Sequence, residues 1–251
     1  MALTDELLNY WKLDESSGNA SDSVGSVTLT NSNVTYSSGK INNCCVFNSS
    51  SDKMTGTIAD IDNYSDGWSI SFWAYHNNDA TAREWIWHIG ESGSWGTCFV
   101  GTWESPWTNL WFKFGNGETS FYGTNTSQSI PNEEWFHIVA TVNGTSQKLY
   151  YNGSLVSNVT KTNTIRNNNT TLTVGNDSGN SYPWDGSVDE VGIWSRALSS
   201  DEVSTLYNSG NGLQYPFSTT SVKSVNGLAK ASVKSKNGLA VASIKSFNGL
   251  A

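Results

Sequence analysis

The chain has 251 residues, with 14 Lys and Arg against 22 Asp and Glu for a formal charge of −8. Charged residues are only 14% of the chain and aromatics reach 12%, including 12 Trp, which excludes a disordered polymer. No apolar run approaches the roughly 18 residues of a membrane span, and an acidic chain is a poor partner for nucleic acid.

The length allows one or two domains, or a single long β-sandwich. The N-terminal stretch MALTDELLNYWKLDE has neither the basic nor the apolar region of a secretory signal, so none is expected. Cys44, Cys45 and Cys98 do not make a disulfide framework. They are expected to be buried free thiols, with adjacent Cys44 and Cys45 on opposite faces of a strand.

Period-two patterns follow along the chain. Trp68–Tyr75 puts Ile70, Phe72 and Ala74 on one face. Trp85–Ile89 alternates, with Trp85, Trp87 and Ile89 together and assigned to the core. Leu110–Phe114 and the set Phe136, Ile138, Ala140 and Val142 complete the series. Asn116-Gly117, Asn143-Gly144 and Asn152-Gly153 supply hairpin turns. Many short strands separated by such turns predict an all-β, two-sheet jelly-roll sandwich. One short helix of about three turns is expected near the end of this region. Ser199 and Glu202 form its capping box, Val203, Leu206 and Tyr207 its buried stripe, and Gly210 its left-handed stop.

Charge divides the chain at about residue 217. Residues 1–217 carry 9 basic and 22 acidic groups, whereas residues 218–251 carry five Lys and no acid. This second part is an 11-residue repeat, Ser-[Val/Ile]-Lys-Ser-x-Asn-Gly-Leu-Ala-x-Ala, starting at Ser221, Ser232 and Ser243. An Asn-Gly turn in each copy predicts a β-hairpin tail, read as a three-strand meander. Ala229, Ala231, Val233 and Ser235 share one of its faces, and Lys230, Ser232, Lys234 and Lys236 the other. Such a meander is too thin to fold alone. It must pack on residues 1–217, on a neighbouring copy or on another protein.

Five blocks in order resemble the laminin-G-like, concanavalin A-like jelly-roll family of lectins and glucanases. They are Tyr10–Gly18 with Asp22, Ser38–Ile41 leading to Val46-Phe47, Trp68–Trp73, Glu134–His137 with Leu149–Gly153, and Gly186–Leu198 with Glu202 and Leu206-Tyr207. The resemblance implies a laminin-G-like sandwich over residues 1–217. It also places Trp11, Trp68, Trp73, Trp135 and Trp194 in the core.

The family includes glycan-cleaving enzymes, which need paired carboxylates on one face. Here the acidic pairs Asp14-Glu15, Glu133-Glu134, Asp189-Glu190 and Asp201-Glu202 are adjacent, so within a strand they would point apart. His76, His88 and His137 have no partner in any motif. No catalytic residues are assigned, and the chain is not expected to be an enzyme. The resemblance implies a structural calcium, for which Asp14, Asp22 and Asp189 are the matching acids. Trp95, Trp103 and Trp107 lie in Gly/Ser/Pro-rich stretches and are the candidate ligand-binding residues, because an indole can cover the apolar face of a sugar ring.

The tail resembles short repeats at the ends of phage and marine microbial surface proteins. The combined expectation is a non-catalytic recognition or structural module on a virion or another extracellular surface. Its partners would be a glycan or host-surface polysaccharide, and other virion or surface proteins through residues 218–251. A homo-oligomer is expected, with no nucleic acid bound and no membrane insertion. The alternatives are a stand-alone cellular lectin or adhesin and, less favoured, a glycan-cleaving enzyme.

Overall fold

A computed structural model describes residues 1–61, 67–77, 82–90, 98–102, 108–115, 121–144, 146–160 and 170–217, and the strand residues 224–225, 228–229, 235–236 and 239–240. The chain divides into two compact units, Met1–Phe217 and Ser218–Ala251.

The first unit is a sandwich of two antiparallel sheets. One sheet holds β1 (Leu7–Trp11), β3 (Thr35–Ser38), β4 (Asn43–Phe47), β6 (Trp68–His76), β11 (Trp135–Asn143), β12 (Ser146–Tyr151), β13 (Ser154–Thr160) and β15 (Gly186–Trp194). Its order is β13-β12-β11-β6-β15-β4-β3, with β1 also paired to β15. The other sheet holds β2 (Thr30–Ser32), β5 (Lys53–Thr57), β7 (Trp85–Ile89), β8 (Cys98–Thr102), β9 (Asn109–Gly115), β10 (Phe121–Ser129) and β14 (Thr171–Val174), in the order β10-β9-β8-β7-β14-β5-β2.

Alternation builds the core. Ile70, Phe72 and Ala74 of β6 face Ala140, Ile138 and Phe136 of β11 in register, and all six enter the inter-sheet core. Trp68 meets Trp87 at 6.0 Å and stands edge-on to Phe112 at 5.8 Å. Burial of each such ring contributes about 2–3 kcal/mol. Cys44, Cys45 and Cys98 are free and buried. Cys45 belongs to the inter-sheet core and Cys44 does not.

The helix α1 (Ser200–Tyr207) packs on the outer face of the first sheet. Val203 and Leu206 join Leu7, Tyr10, Val139 and Trp194 in a second apolar cluster, extended by Leu213, Tyr215 and Phe217. Both hydrogen bonds of the capping box form between Ser199 and Glu202. The helix is shorter than expected, with eight residues. Asn208 takes the left-handed cap position at φ 48° ahead of Gly210, since a short polar side chain tolerates that conformation. Asn152 and Gly153 both have positive φ, as a two-residue hairpin turn requires. The turn expected at Asn116-Gly117 lies outside the described residues.

Two other expectations fail, and Trp85 is buried as expected but away from the inter-sheet cluster. A register shift between Trp85 and Trp87 takes Trp85 out of the inter-sheet core that Ile86, Trp87 and Ile89 share. Trp85 instead stacks between Phe99 at 4.3 Å and Tyr182 at 4.1 Å. Trp135 is half-buried rather than core, lying 5.6 Å from Tyr75. Asp189 and Glu190 do not simply point apart, because β15 shifts register against β6 after Asp189 and Glu190 turns left-handed at φ 55°. In the tail, the residues on which a three-strand meander depends, 230–234, lie outside the described residues. β16 (Ser224–Val225) pairs with β17 (Leu228–Ala229) and β18 (Ser235–Lys236) with β19 (Leu239–Ala240), as two separate hairpins.

Candidate functional site

A cleft of about 430 Å³ opens at one end of the sandwich, lined by His76, Arg83, Glu84, Pro183, Trp184 and Asp185, with Asn48–Ser50 along one side. It forms where the two sheets are bridged by chain crossings. His76 ends β6 in one sheet, and Glu84 leads into β7 in the other. Trp184 and Asp185 run into β15.

Each wall is fixed by the backbone. The Glu84 amide donates to Thr102 Oγ1 at 3.0 Å, and the Thr102 amide donates to the Glu84 carbonyl at 2.8 Å. The Asn77 amide donates to the Asp185 carbonyl at 3.0 Å, and the Asn77 side chain to Asp185 Oδ1 at 2.7 Å. Trp184 lies under the cleft, 4.7 Å from the His76 ring and 1% exposed. Its place depends on Gly186, where a Cβ would come 2.6 Å from Trp184 Nε1 and 2.0 Å from the Tyr75 carbonyl. Trp184 Nε1 is buried with no hydrogen-bond partner among the described residues.

The electrostatic centre is a buried pair. His76 Nε2 lies 2.9 Å from Glu84 Oε2, and the Asp185 amide donates to the same oxygen at 3.4 Å. His76 Nδ1 is 3.3 Å from Asn132 Oδ1. Burial disfavours charge on His76, but the hydrogen bond and charge of Glu84, helped by Asn132 and Asp185, outweigh it and raise the imidazole above its ordinary value. The cleft thus offers the Glu84 and Asp185 carboxylates at fixed positions over a buried floor of His76 and Trp184.

His76, Glu84, Trp184 and Asp185 were not found from the sequence as a site. They are separated by up to 109 positions, and only the crossing between sheets joins them. His137 also has a partner that spacing concealed. Its Nε2 lies 2.9 Å from Ser71 Oγ across the β6–β11 register, buried beside Trp73 and Tyr207. Burial drives that imidazole down to about 3, so it stays neutral and structural. The expected ligand residues Trp95, Trp103 and Trp107 lie outside the described residues.

Of the three acids expected to hold calcium, Asp22 is held apart from Asp14 and Asp189. Asp22 is spent on the β1 turn, accepting from Asn9 Nδ2 at 2.6 Å and from the amides of Tyr10, Val24, Gly25 and Val27. Burial opposes its charge, yet these bonds outweigh it and hold the carboxylate low. Asp14 instead interacts with Asp189 and Glu190 beside Gln214. Glu190 accepts from Tyr10 Oη and from Gln214. Asp189 Oδ2 accepts from the Ile41 amide at 2.9 Å, while Asp189 Oδ1 is buried without a hydrogen-bond partner. Among the described residues no three His, Cys, Asp or Glu side chains come together as a metal site. Asp22 thus stands apart, bonded to its own turn, while Asp14 and Asp189 act on one another beside Glu190.

A two-sheet antiparallel jelly roll with helix α1 closing its outer face defines a laminin-G-like sandwich. The chain belongs to the concanavalin A-like lectin/glucanases superfamily, whose laminin-G profile matches residues 48–204. A comparison with curated sequences found no match. Among solved structures, the chain is similar to domain 4 of AbnA, a GH43 extracellular arabinanase from Geobacillus stearothermophilus solved with arabinotriose. That similarity has a TM-score of 0.64 at 20% identity and covers 79% of this chain and 97% of that one. It is also similar to the binding domain of Botulinum neurotoxin DC, solved with rat synaptotagmin II, at TM-score 0.64 and 17% identity over 83% of this chain and 52% of that one. The binding domain of Paraclostridial Mosquitocidal Protein 1 matches at TM-score 0.65 and 19% identity, over 83% of this chain and 53% of that one. The chain spans about half the length of these toxin domains.

Proposed function

We propose that residues 1–217 are a non-catalytic carbohydrate-binding module that seats a sugar in the cleft beside Arg83, Pro183 and Asp185. The observation that carries this is the cleft itself. It sets the half-buried Pro183 ring beside the Arg83 guanidinium and the Asp185 carboxylate, an apolar face next to hydrogen-bonding groups, which is what a sugar ring with one C–H face and a hydroxyl rim requires. The likeness to an arabinanase domain solved with arabinotriose supports the same ligand class. The tail's similarity to repeats of phage and marine microbial surface proteins supports display on a virion or cell surface.

The test is a glycan array probed with the full chain, followed by titration calorimetry on any hit. Asp185→Asn keeps an oxygen for the Asn77 side chain and removes the charge. It is expected to weaken binding at least about tenfold, the loss of one charged hydrogen bond, with unchanged circular dichroism. Binding that survives both Asp185→Asn and Glu84→Gln places the ligand elsewhere.

A second reading follows from one observation. Glu84 and Asp185 bring two carboxylates to one cleft, which the adjacent acidic pairs in the sequence did not suggest. Release of new reducing ends from an array hit, abolished by Glu84→Gln, would make this cleft hydrolytic. Glu84 is paired with His76 and Asp185 is held by Asn77, so binding is the reading favoured here.

A further inference from the structure

Residues 218–251 are a unit of their own, and its two defined hairpins are copies of one another. In the first, Ser224 pairs with Ala229 and Val225 with Leu228. Eleven residues on, Ser235 pairs with Ala240 and Lys236 with Leu239. The sequence between the strands is Asn-Gly both times, and Ser246-Phe247-Asn248-Gly249-Leu250-Ala251 repeats the pattern a third time. In the two described copies the repeat is a minimal hairpin with two residues to a strand.

Such a hairpin does not hold itself. A lone two-stranded hairpin is marginal in water. A chain of fewer than about 40 residues folds with the help of disulfides, a metal or oligomerisation. Residues 218–251 contain no Cys, His, Asp, Glu, Trp or Tyr. Disulfides and the usual metal ligands are thereby removed, and no large aromatic other than Phe217 at the border and Phe247 can nucleate a core. Packing against something beyond the hairpins themselves remains.

The apolar positions point the same way. Val222, Val233 and Ile244 recur at one place in the repeat. Leu228, Leu239 and Leu250 recur at a second, and Ala229, Ala240 and Ala251 at a third. A solvated linker has no reason to hold leucine at the same phase three times. Identical rungs that bury their apolar residues only against neighbours do.

We propose that residues 218–251 are a homo-oligomerisation element, in which the hairpins pack against the same hairpins of other copies of this chain about a symmetry axis. A second copy carries the same 11-residue spacing, so all three rungs match at once. The competing occupant is an acidic surface, because the tail carries five Lys and no acid while residues 1–217 carry an excess of acid. Salt separates the two. Apolar contact between like-charged tails is kept or strengthened when salt screens their repulsion, whereas a basic tail on an acidic surface is released. The proposal stands apart from the glycan reading, since its test reads mass and not ligand.

The experiment is light scattering on the full chain and on a chain ending at Phe217, the boundary of a unit that contains both complete sheets. Both are measured at about 0.05 M and about 1 M NaCl, which spans strong to negligible long-range charge effects. The full chain is expected at a whole-number multiple of 27.3 kDa in both salts, and the shortened chain as a monomer. The triple variant Leu228→Ser, Leu239→Ser, Leu250→Ser is expected to fall to a monomer with the circular dichroism of residues 1–217 intact. A monomeric full chain overturns the proposal. So does an oligomer that dissociates in molar salt, which assigns the tail to an acidic surface, or one that survives removal of the tail, which assigns assembly to the sandwich.

Discussion

Glu190 shows how much one torsion can hide. In an unbroken strand Asp189 and Glu190 would lie on opposite faces. The left-handed backbone at Glu190 sits where β15 exchanges β4 for β1 as its neighbour, with Val188 opposite Cys45 and Val191 opposite Trp11. Both carboxyls then feel each other and Asp14. Burial first, then the charge of Glu190, pushes Asp189 up to about 9; burial likewise lifts Glu190 to about 7 against the bonds from Tyr10 and Gln214. An acid whose folded value is raised stabilises below its unfolded value and loses that contribution as pH climbs through the folded one. The fold is therefore expected to weaken between about pH 4 and pH 9. Asp189→Asn keeps an acceptor for the Ile41 amide and carries no charge. It should raise stability at pH 9 by about 1–3 kcal/mol relative to the parent and flatten the dependence of Tm on pH. A parent and variant whose Tm curves run parallel from pH 5 to pH 9 would remove Asp189 as the cause. The family resemblance had joined Asp14 to Asp189, but nothing in the sequence announced Glu190 beside them. Alternation is the only rule that a lone strand offers, and the bulge that breaks it is set by the change of neighbouring strand.

At the scale of elements, legibility follows how local the cause is. The strands β6 and β11 could be read because each holds its apolar set at period two over eight or nine residues. The helix could be read because Ser199 and Glu202 satisfy each other's backbone three residues apart. Its function in the fold could not, since it depends on Arg196. That guanidinium meets both oxygens of Glu202, at 2.9 and 2.6 Å, and donates to the carbonyls of Ala2 and Asp5. The chain start is thus tied to the helix that comes almost last. Removing only the cap tests the local part. Ser199→Ala should cost about 1 kcal/mol and lower Tm by about 2–4 °C, with α1 still packed through Val203 and Leu206. A loss well above about 2 kcal/mol would mean that the cap also holds the Arg196–Glu202 pair in place, and a double-mutant cycle with Arg196→Lys would measure that coupling. Trp85 marks the other limit. It is buried as expected, but the register shift in β7 sends it to a stack with Phe99 and Tyr182 and not to the inter-sheet cluster, and no pattern in Trp85–Ile89 distinguishes the two.

For the whole molecule, the proposed sugar cleft and the proposed assembly tail have a joint consequence. One small cleft offers a sugar few contacts, and single-site affinities of that kind are weak. A tail that gathers several copies changes this without any new contact to sugar, because each further cleft binds at the effective concentration set by the first. The gain depends on whether neighbouring sugars are close enough to be reached together. On a surface densely coated with a glycan identified by array, the full chain is expected to dissociate at least about 10²-fold more slowly than the chain ending at Phe217. As the coating is thinned the two rates should converge, since each oligomer then finds only one sugar. Association rates should differ little at either density, because the cleft is the same in both. Surface plasmon resonance across a series of glycan densities measures all three rates. Equal dissociation at every density would mean that the tail does not present the clefts together, whatever mass it gives the chain in solution. A density-independent difference would instead mean that residues 218–251 add contacts of their own to the glycan surface, and the five lysines would then be the first residues to remove.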